Sequence, residues 1–325
     1  MRAASYRHPG PADAVLRLVE RPDPTPGPGE IRVRLAFSGI NPSDVKARAG
    51  SASRLSAFDE VVPHSDGAGI VDAVGPGVSS ARIGERVWVY NAQWERADGT
   101  AAEYVVLPQA QVVPLPDAVS LEAGASFGIP LLTACHAIDA CGPVRERTVL
   151  IPGAAGNVGH YAVQLAKLGG ARVIGVVSDP HKAQAARAAG ADEVIDYRRE
   201  DLVARVAALT GGRGADCIVE VNASANAPHY GKLLGFGGKA VIYGSNAASV
   251  DVPFGPAILG FFTLHFFIVY RLPDNVFRRH IETLRPWLEA GALRPPAFET
   301  YALGSIASAH RRVEAGAPAK VLIQL

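Results

Sequence analysis

From Thr148 onward the chain alternates short apolar strands with helices, and this most constrains its fold. "TVLIPG" reads as a strand and "NVGHYAVQLAKLG" as a helix. "ARVIGVV" and "PHKAQAARAAG" repeat the pair, the helix opening on Pro180 and stopping at Gly190. "EVID", "EDLVARVAALTGG", "ADCIVEV" and "GKAVIYG" continue it. Alternation of this length predicts a parallel sheet covered by helices on both faces. The first strand-to-helix turn reads Gly153-Ala154-Ala155-Gly156-Asn157-Val158-Gly159. It has the form A-x-G-x-x-G, with Ala154 where the first glycine usually stands. Gly156 lets the backbone approach a pyrophosphate, Gly159 lets the helix pack on the strand, and the helix N-terminus supplies free N–H groups. With a strand before it and further βα units after it, the loop predicts a dinucleotide site at Ala155, Gly156, Asn157 and Val158.

The end of the second strand bears on which dinucleotide. A site for an unphosphorylated ribose wants an acidic residue about 20 residues on. Val176 and Val177 are apolar there, and Asp179 follows just before Pro180, where it serves equally as a turn or helix-cap residue. Ser178, His181, Lys182, Tyr197, Arg198 and Arg199 supply a hydroxyl and cations nearby. This set suits a 2′-phosphate, so NADPH is expected over NADH, with Ser178, Lys182 and Tyr197 as contacts. The alternative for Lys182 and the arginine pair is a solvated helix face. Asn222 and Ala223 after "CIVEV", with Gly244 and Ser245 after "KAVIYG", are expected to face the cofactor at the strand ends.

The part before about Ser120 is β-rich: "EIRVRLAFSGI", "GAGIVDAVGPGV", "GERVWVY" and "AAEYVVLP" read as strands. "LEAGASFGIPLLTACHAIDAC" then looks helical, with Ser120 as cap. The closing "AKVLIQL" is a strand whose pattern suggests a return to the first domain. At 325 residues there is room for two domains. A net charge of +1 without a basic block argues against a nucleic-acid partner. The longest apolar run, Ala257 to Tyr270, spans 14 residues and is interrupted by His265. A membrane helix needs about 20, so the run is expected to be a buried strand or an interface. The three cysteines, Cys135, Cys141 and Cys217, lack framework spacing and are expected as reduced thiols in a cytoplasmic protein.

Taken together, "GINPSDVKARAG", "VVPHSDGAGIVDAVGPGV", "GERVWVY", "GIPLLTACHAI", the glycine loop, "GADEVIDYRRED" and "AKVLIQL" resemble the medium-chain dehydrogenase/reductase superfamily, in particular its zinc-free quinone oxidoreductase (ζ-crystallin-like) branch. The resemblance implies an α/β protein: a GroES-like β-rich catalytic domain from residues 1–122 and 271–325, and a doubly wound Rossmann domain from 123–270. Nicotinamide and substrate would bind in the cleft between them. It also implies a homodimer or homotetramer formed through "FFTLHFFIVY".

Asn41 and Thr133 match the family's active-site Asn and Thr, and are expected at the nicotinamide ribose, its carboxamide or a substrate oxygen. Their alternatives are an Asx-turn before Pro42 and a hydroxyl satisfied within its own helix. Asp44 matches an acidic position near the site. Lys320 matches a possible cofactor contact, with a surface charge as the equal reading. Aligned with the zinc-dependent relatives, the ligand positions fall on Asn41, Ser65 and Ile129, with His64 one place off. No catalytic metal is therefore expected, since zinc needs three donor side chains. Lys46 stands where the branch carries a Tyr. Lys46, Trp88, Tyr90, Trp94 and Ile129 are expected to line the substrate pocket, with Asn91 and Gln93 nearby; core and hairpin packing is the alternative for the aromatic set.

Without a Lewis acid, hydride delivery suits an acceptor that is already electrophilic. The expected activity is NADPH-dependent quinone reduction. The alternatives are an enoyl-thioester or alkenal reductase, which wants a proton donor near the substrate α-carbon, and a non-catalytic crystallin-like or RNA-binding protein.

Overall fold

A computed structural model describes residues 1–50 and 58–325. The chain forms two compact units, Met1–Ile129 with Leu288–Leu325, and Pro130–Trp287. Both boundaries lie later than the expected 122/123 and 270/271. The second falls inside the helix Asp274–Glu289, which lies almost wholly in the second unit. Its partners explain why: Arg279 pairs with Asp139 at 2.7 Å, and His280 Nε2 lies 3.1 Å from His136 Nδ1.

In the first unit the strand Glu30–Gly39 is the spine. Its first half pairs with Tyr104–Pro108 and its second half with Lys320–Gln324, while Asp66–Val74 follows it along its length, all antiparallel. The C-terminal strand thus returns to the β-rich unit, as its pattern predicts, and Phe298–Ala302 joins it in parallel. Alternation turns Ile31, Val33 and Leu35 inward against Val71, Val87, Val89, Val105 and Leu107. At Gly69 a Cβ would sit 2.0 Å from the Arg34 carbonyl, so only glycine lets the two strands approach so closely.

The second unit is a six-stranded, all-parallel sheet. Its order is Glu193–Asp196, Arg172–Val177, Thr148–Pro152, Ala215–Glu220, Leu234–Ile242, Thr263–Phe266. The order reverses between Thr148–Pro152 and Ala215–Glu220. The crevice beyond the carboxyl ends of strands at such a switch point is where ligands bind in open α/β sheets.

Three expectations are corrected. The helical stretch after Ser120 breaks into Leu121–Gly124, a wide turn Phe127–Leu131 and the helix Leu132–Cys141. Pro130 inside the turn lacks the N–H that a regular helix would use. Of the two readings of the apolar run Ala257–Tyr270, only the buried strand is overturned, and the interface stays open. The helix Phe254–Gly260 ends at Phe261 in the left-handed region (φ 54°), and only Thr263–Phe266 forms an edge strand. Leu259, Phe261 and Phe266 are exposed. Cys141 and Cys217 form a disulfide, and only Cys135 is free. Packing of the helix end against the Ala215–Glu220 strand brings their Cα atoms to 6.0 Å across 76 residues, a proximity invisible in linear spacing. Among the described residues no helix is long and apolar enough to cross a membrane.

Candidate functional site

The glycine loop lies at the switch point of the second unit. Gly153, at φ 69°, turns the chain out of the strand, and Gly153 and Ala154 both donate to the Val176 carbonyl of the neighbouring strand. Gly156 caps the helix Asn157–Leu168. The two later glycines do different work. A Cβ on Gly159 would lie 2.1 Å from the Gly153 carbonyl oxygen, so the loop cannot close without glycine there. A Cβ on Gly156 would meet only that same oxygen at 3.3 Å, and the residue is exposed. The demand on Gly156 is milder than that on Gly159, since only that one oxygen would have to give by a few tenths of an ångström. Ala155, Asn157 and Val158 are partly exposed around it, and first-turn N–H groups lack intrahelical acceptors.

At the end of the second strand, Lys182 Nζ donates to Ser178 Oγ at 2.8 Å and pairs with Asp179 at 3.3 Å. Asp179 caps the helix Pro180–Ala188, and the Lys182 backbone N–H, with the Lys182 and Ser178 side chains, holds its carboxyl below the usual range. The Tyr197 backbone N–H bonds the Val177 carbonyl, which brings the exposed Tyr197 to the same strand end. The residues expected around a 2′-phosphate therefore converge, with Asp179 neutralised among them.

Asn222 follows the fourth strand. Its side-chain oxygen accepts from Ser224 Oγ at 3.0 Å and from the Asn246 N–H at 3.2 Å. Glu220 beneath it is buried, which raises its carboxyl affinity for a proton; the Asn222 N–H, Asn226 and Tyr230 bond it and oppose that rise. Gly244 faces Val221, whose carbonyl a Cβ would reach at 2.2 Å. Gly244 and Ser245 line an open cavity of about 600 Å³ with Tyr243, Phe267 and Arg271. Thr133 is buried in the first turn of the helix Leu132–Cys141.

In the first unit, Asn41 is buried and committed. Its Nδ2 donates to Asp66 Oδ2 at 2.7 Å, its Oδ1 accepts from Lys320 Nζ at 2.7 Å, and its N–H bonds Asp44 at 2.7 Å. Asp66 also takes the Ile129 N–H at 2.8 Å. Lys320 has no exposed surface and pairs with Asp66 at 3.3 Å, so its ammonium is neither a surface charge nor open to a phosphate. Burial raises Asp66 and lowers Lys320, while their mutual attraction opposes both changes. Trp88 and Tyr90 pack in the core, Trp88 edge-on to Phe127, and Tyr90 Oη donates to the Ala110 carbonyl. Trp94 is half-buried and Lys46 exposed. Trp88 and Tyr90 thus pack as the core alternative describes, side chains of this size being drawn into the interior by the area they bury.

The zinc positions can be tested on their donors. Asn41, Ser65 and Ile129 supply no thiolate or imidazole, and the nearby carboxylate, Asp66, already neutralises an ammonium. This donor set does not fit zinc. His64, one position away, is bound elsewhere. The Thr100 hydroxyl donates to the Asp66 carbonyl at 2.6 Å, so Ser38 must donate to Thr100 at 2.8 Å and accept from His64 Nδ1 at 2.8 Å. His64 Nε2 then accepts from His310 Nε2 at 2.9 Å, leaving His310 Nδ1 buried without a partner. Sequence reading missed this chain, and missed Glu220 and the group His136, Asp139 and His280; none carries a motif, because their members meet only in space.

Two family descriptions match the chain: "Alcohol dehydrogenase GroES-like domain" over residues 27–117 and "Zinc-binding dehydrogenase" over 157–285. A quinone oxidoreductase of Sus scrofa is 31% identical over 93% of this chain and 91% of its own. A solved NAD-dependent alcohol dehydrogenase superposes with a TM-score of 0.90 at 31% identity, covering 100% of both chains. The Escherichia coli quinone oxidoreductase complexed with NADPH superposes with a TM-score of 0.88 at 26% identity, also covering 100% of both. On its motifs, its two folds and this similarity along its length, the chain belongs to the quinone oxidoreductases of the medium-chain dehydrogenase/reductase superfamily.

Proposed function

We propose that the protein is an NADPH-dependent quinone oxidoreductase that works without a catalytic zinc. The observation that carries the reading is the cradle of the second unit: bare backbone at Gly156 beside a helix N-terminus, with Ser178, Lys182 and Tyr197 gathered at the next strand end. The helix N-terminus and Gly156 would hold the pyrophosphate, and Lys182 with Ser178 the 2′-phosphate. When bound, the nicotinamide supplies a hydride. Asn222, held by Ser224 and Asn246, and Gly244 shape the far end of the crevice. Asn41, locked between Lys320 and Asp66, would act by holding a rigid polar surface rather than by moving a proton.

The preference for a quinone follows from the donor set at Asn41, Ser65 and Ile129. With no side chains suited to a Lewis acid there, an acceptor whose reduced anion is delocalised needs only positioning and hydrogen bonds. Asp179 favours NADH as a second reading, but its bond to Lys182 offsets that charge. The exposed Leu259, Phe261 and Phe266 at the sheet edge support pairing of two copies through that edge.

The test is oxidation of NADPH and of NADH, followed by absorbance, with 1,4-benzoquinone, 9,10-phenanthrenequinone and crotonyl-CoA. Quinone turnover with NADPH preferred is expected. Turnover of crotonyl-CoA alone would move the assignment to double-bond reduction, and binding of NADPH without any turnover would favour a non-catalytic role.

A further inference from the structure

The second unit holds a group of metal-ligating side chains away from the glycine loop. His136 and Asp139 stand three residues apart on the helix Leu132–Cys141, hence on one face, and His280 projects from the helix Asp274–Glu289. One ligand atom from each lies within 4.8 Å of the others. His136 Nδ1 and His280 Nε2 are 3.1 Å apart. Two donors on one tetrahedral zinc stand about 3.3 Å apart, given bonds of about 2.0–2.1 Å. The imidazole pair therefore already has nearly the bite that such an ion needs.

Three surroundings favour an ion over a simple pair of hydrogen-bonded rings. His265, on the edge strand Thr263–Phe266, holds its ring tilted with its centroid 5.8 Å from that of His136, and its Nε2 is buried without a partner. Phe267 packs on His136 at 4.5 Å and gives the site an apolar wall. Arg279 binds Asp139 Oδ2 at 2.7 Å, the kind of outer partner that orients a ligating carboxylate. Burial lowers the proton affinity of both His136 and His280, which leaves ring lone pairs available at neutral pH.

We infer that His136, Asp139 and His280 form a binding site for a borderline divalent transition ion, of which Zn²⁺ is the type, clipping the helix Leu132–Cys141 to the helix Asp274–Glu289. A set of two imidazoles and one carboxylate suits zinc or cobalt rather than the hard cations calcium and magnesium. The site is structural: all three ligands come from the two helices it joins, and none is among the residues proposed to hold cofactor or substrate.

The test uses the untagged full-length chain, stripped with a chelator and titrated with Co²⁺ as the visible probe and Zn²⁺ as its competitor. One equivalent of Co²⁺ per chain with tetrahedral d–d bands is expected, displaced by Zn²⁺, and Zn²⁺ should raise the melting temperature. His136→Gln and His280→Gln should each weaken binding by roughly 100-fold, while the exposed His8→Gln leaves it unchanged. Because His280 is buried, the partly exposed His136→Gln and the exposed Asp139→Asn keep the test open if His280→Gln does not fold. Absence of stoichiometric Co²⁺ binding by the wild-type chain, or binding unaltered in both His136→Gln and Asp139→Asn, would overturn the inference.

Discussion

The Lys320 ammonium sits 3.3 Å from the Asp66 carboxylate, two opposite charges with no solvent-exposed surface between them. Asn41 bridges the pair, and the Ile129 N–H completes the carboxylate. Lys320→Met would leave a buried carboxylate without its counter-charge. Breaking one side of such a pair costs about 3–5 kcal/mol, so the urea midpoint should fall sharply. Lys320→Met combined with Asp66→Asn should recover part of the loss; additive effects would show that the pair is not coupled.

The glycines of the cradle should separate folding from binding. Gly159→Ala drives a Cβ to 2.1 Å from the Gly153 oxygen and should destabilise the protein by about 2 kcal/mol or more. Gly156→Ala would place its Cβ 3.3 Å from that oxygen, a tight contact that a small loop shift relieves, and should cost much less stability than Gly159→Ala. It should nevertheless weaken NADPH binding roughly tenfold, measured by fluorescence titration, because the methyl group faces the pyrophosphate. Equal loss of stability in both variants would contradict this division.

On the proposed function, cofactor choice would rest on Lys182 and Asp179. Lys182→Ala should lower kcat/KM for NADPH about tenfold, the equivalent of 1.4 kcal/mol, with little change for NADH. Asp179→Asn keeps a helix-capping side chain and removes a charge beside the phosphate, so the NADPH:NADH ratio should rise. A ratio unmoved by either substitution means that the 2′-phosphate binds elsewhere.

Acid should loosen the first unit through its two stacked histidines. Burial, with a smaller contribution from Arg48, pushes His310 down to about 3; burial, His310 and Lys320 hold His64 well below the usual range. Folded affinities below the unfolded value of about 6.5 mean that this stability is fully present above pH 6.5 and is lost as the pH falls toward 3. At pH 4.5, two pH units below the unfolded value, the loss at His310 corresponds to about 3 kcal/mol. Denaturation curves between pH 7 and 4.5 should show the decline, and His310→Gln should flatten it.

Reduction of the Cys141–Cys217 bond should also weaken the second unit. It closes a segment of 76 residues, for which loop-closure entropy gives about 4 kcal/mol. Dithiothreitol should lower the urea midpoint of the wild type and leave Cys217→Ala unaffected; an identical response in both would rule out a stabilising bond.

What the sequence determined by itself was local and periodic. The alternating β and α elements, the Gly153–Gly159 turn, the Ser178–Lys182 neighbourhood and the inward face of Glu30–Gly39 follow from side-chain period and backbone freedom within a few residues. Tertiary structure alone decided which buried polar groups meet. Lys320 reaches Asn41 across 279 positions and His64 reaches His310 across 246, while Cys141 finds Cys217 where a helix packs on a strand and His136 finds His280 where two helices meet. A buried charge or ring must be paired wherever the register happens to bring a partner. No linear spacing records that choice, and so Lys320 proved to be a counter-charge in the interior of the β-rich unit.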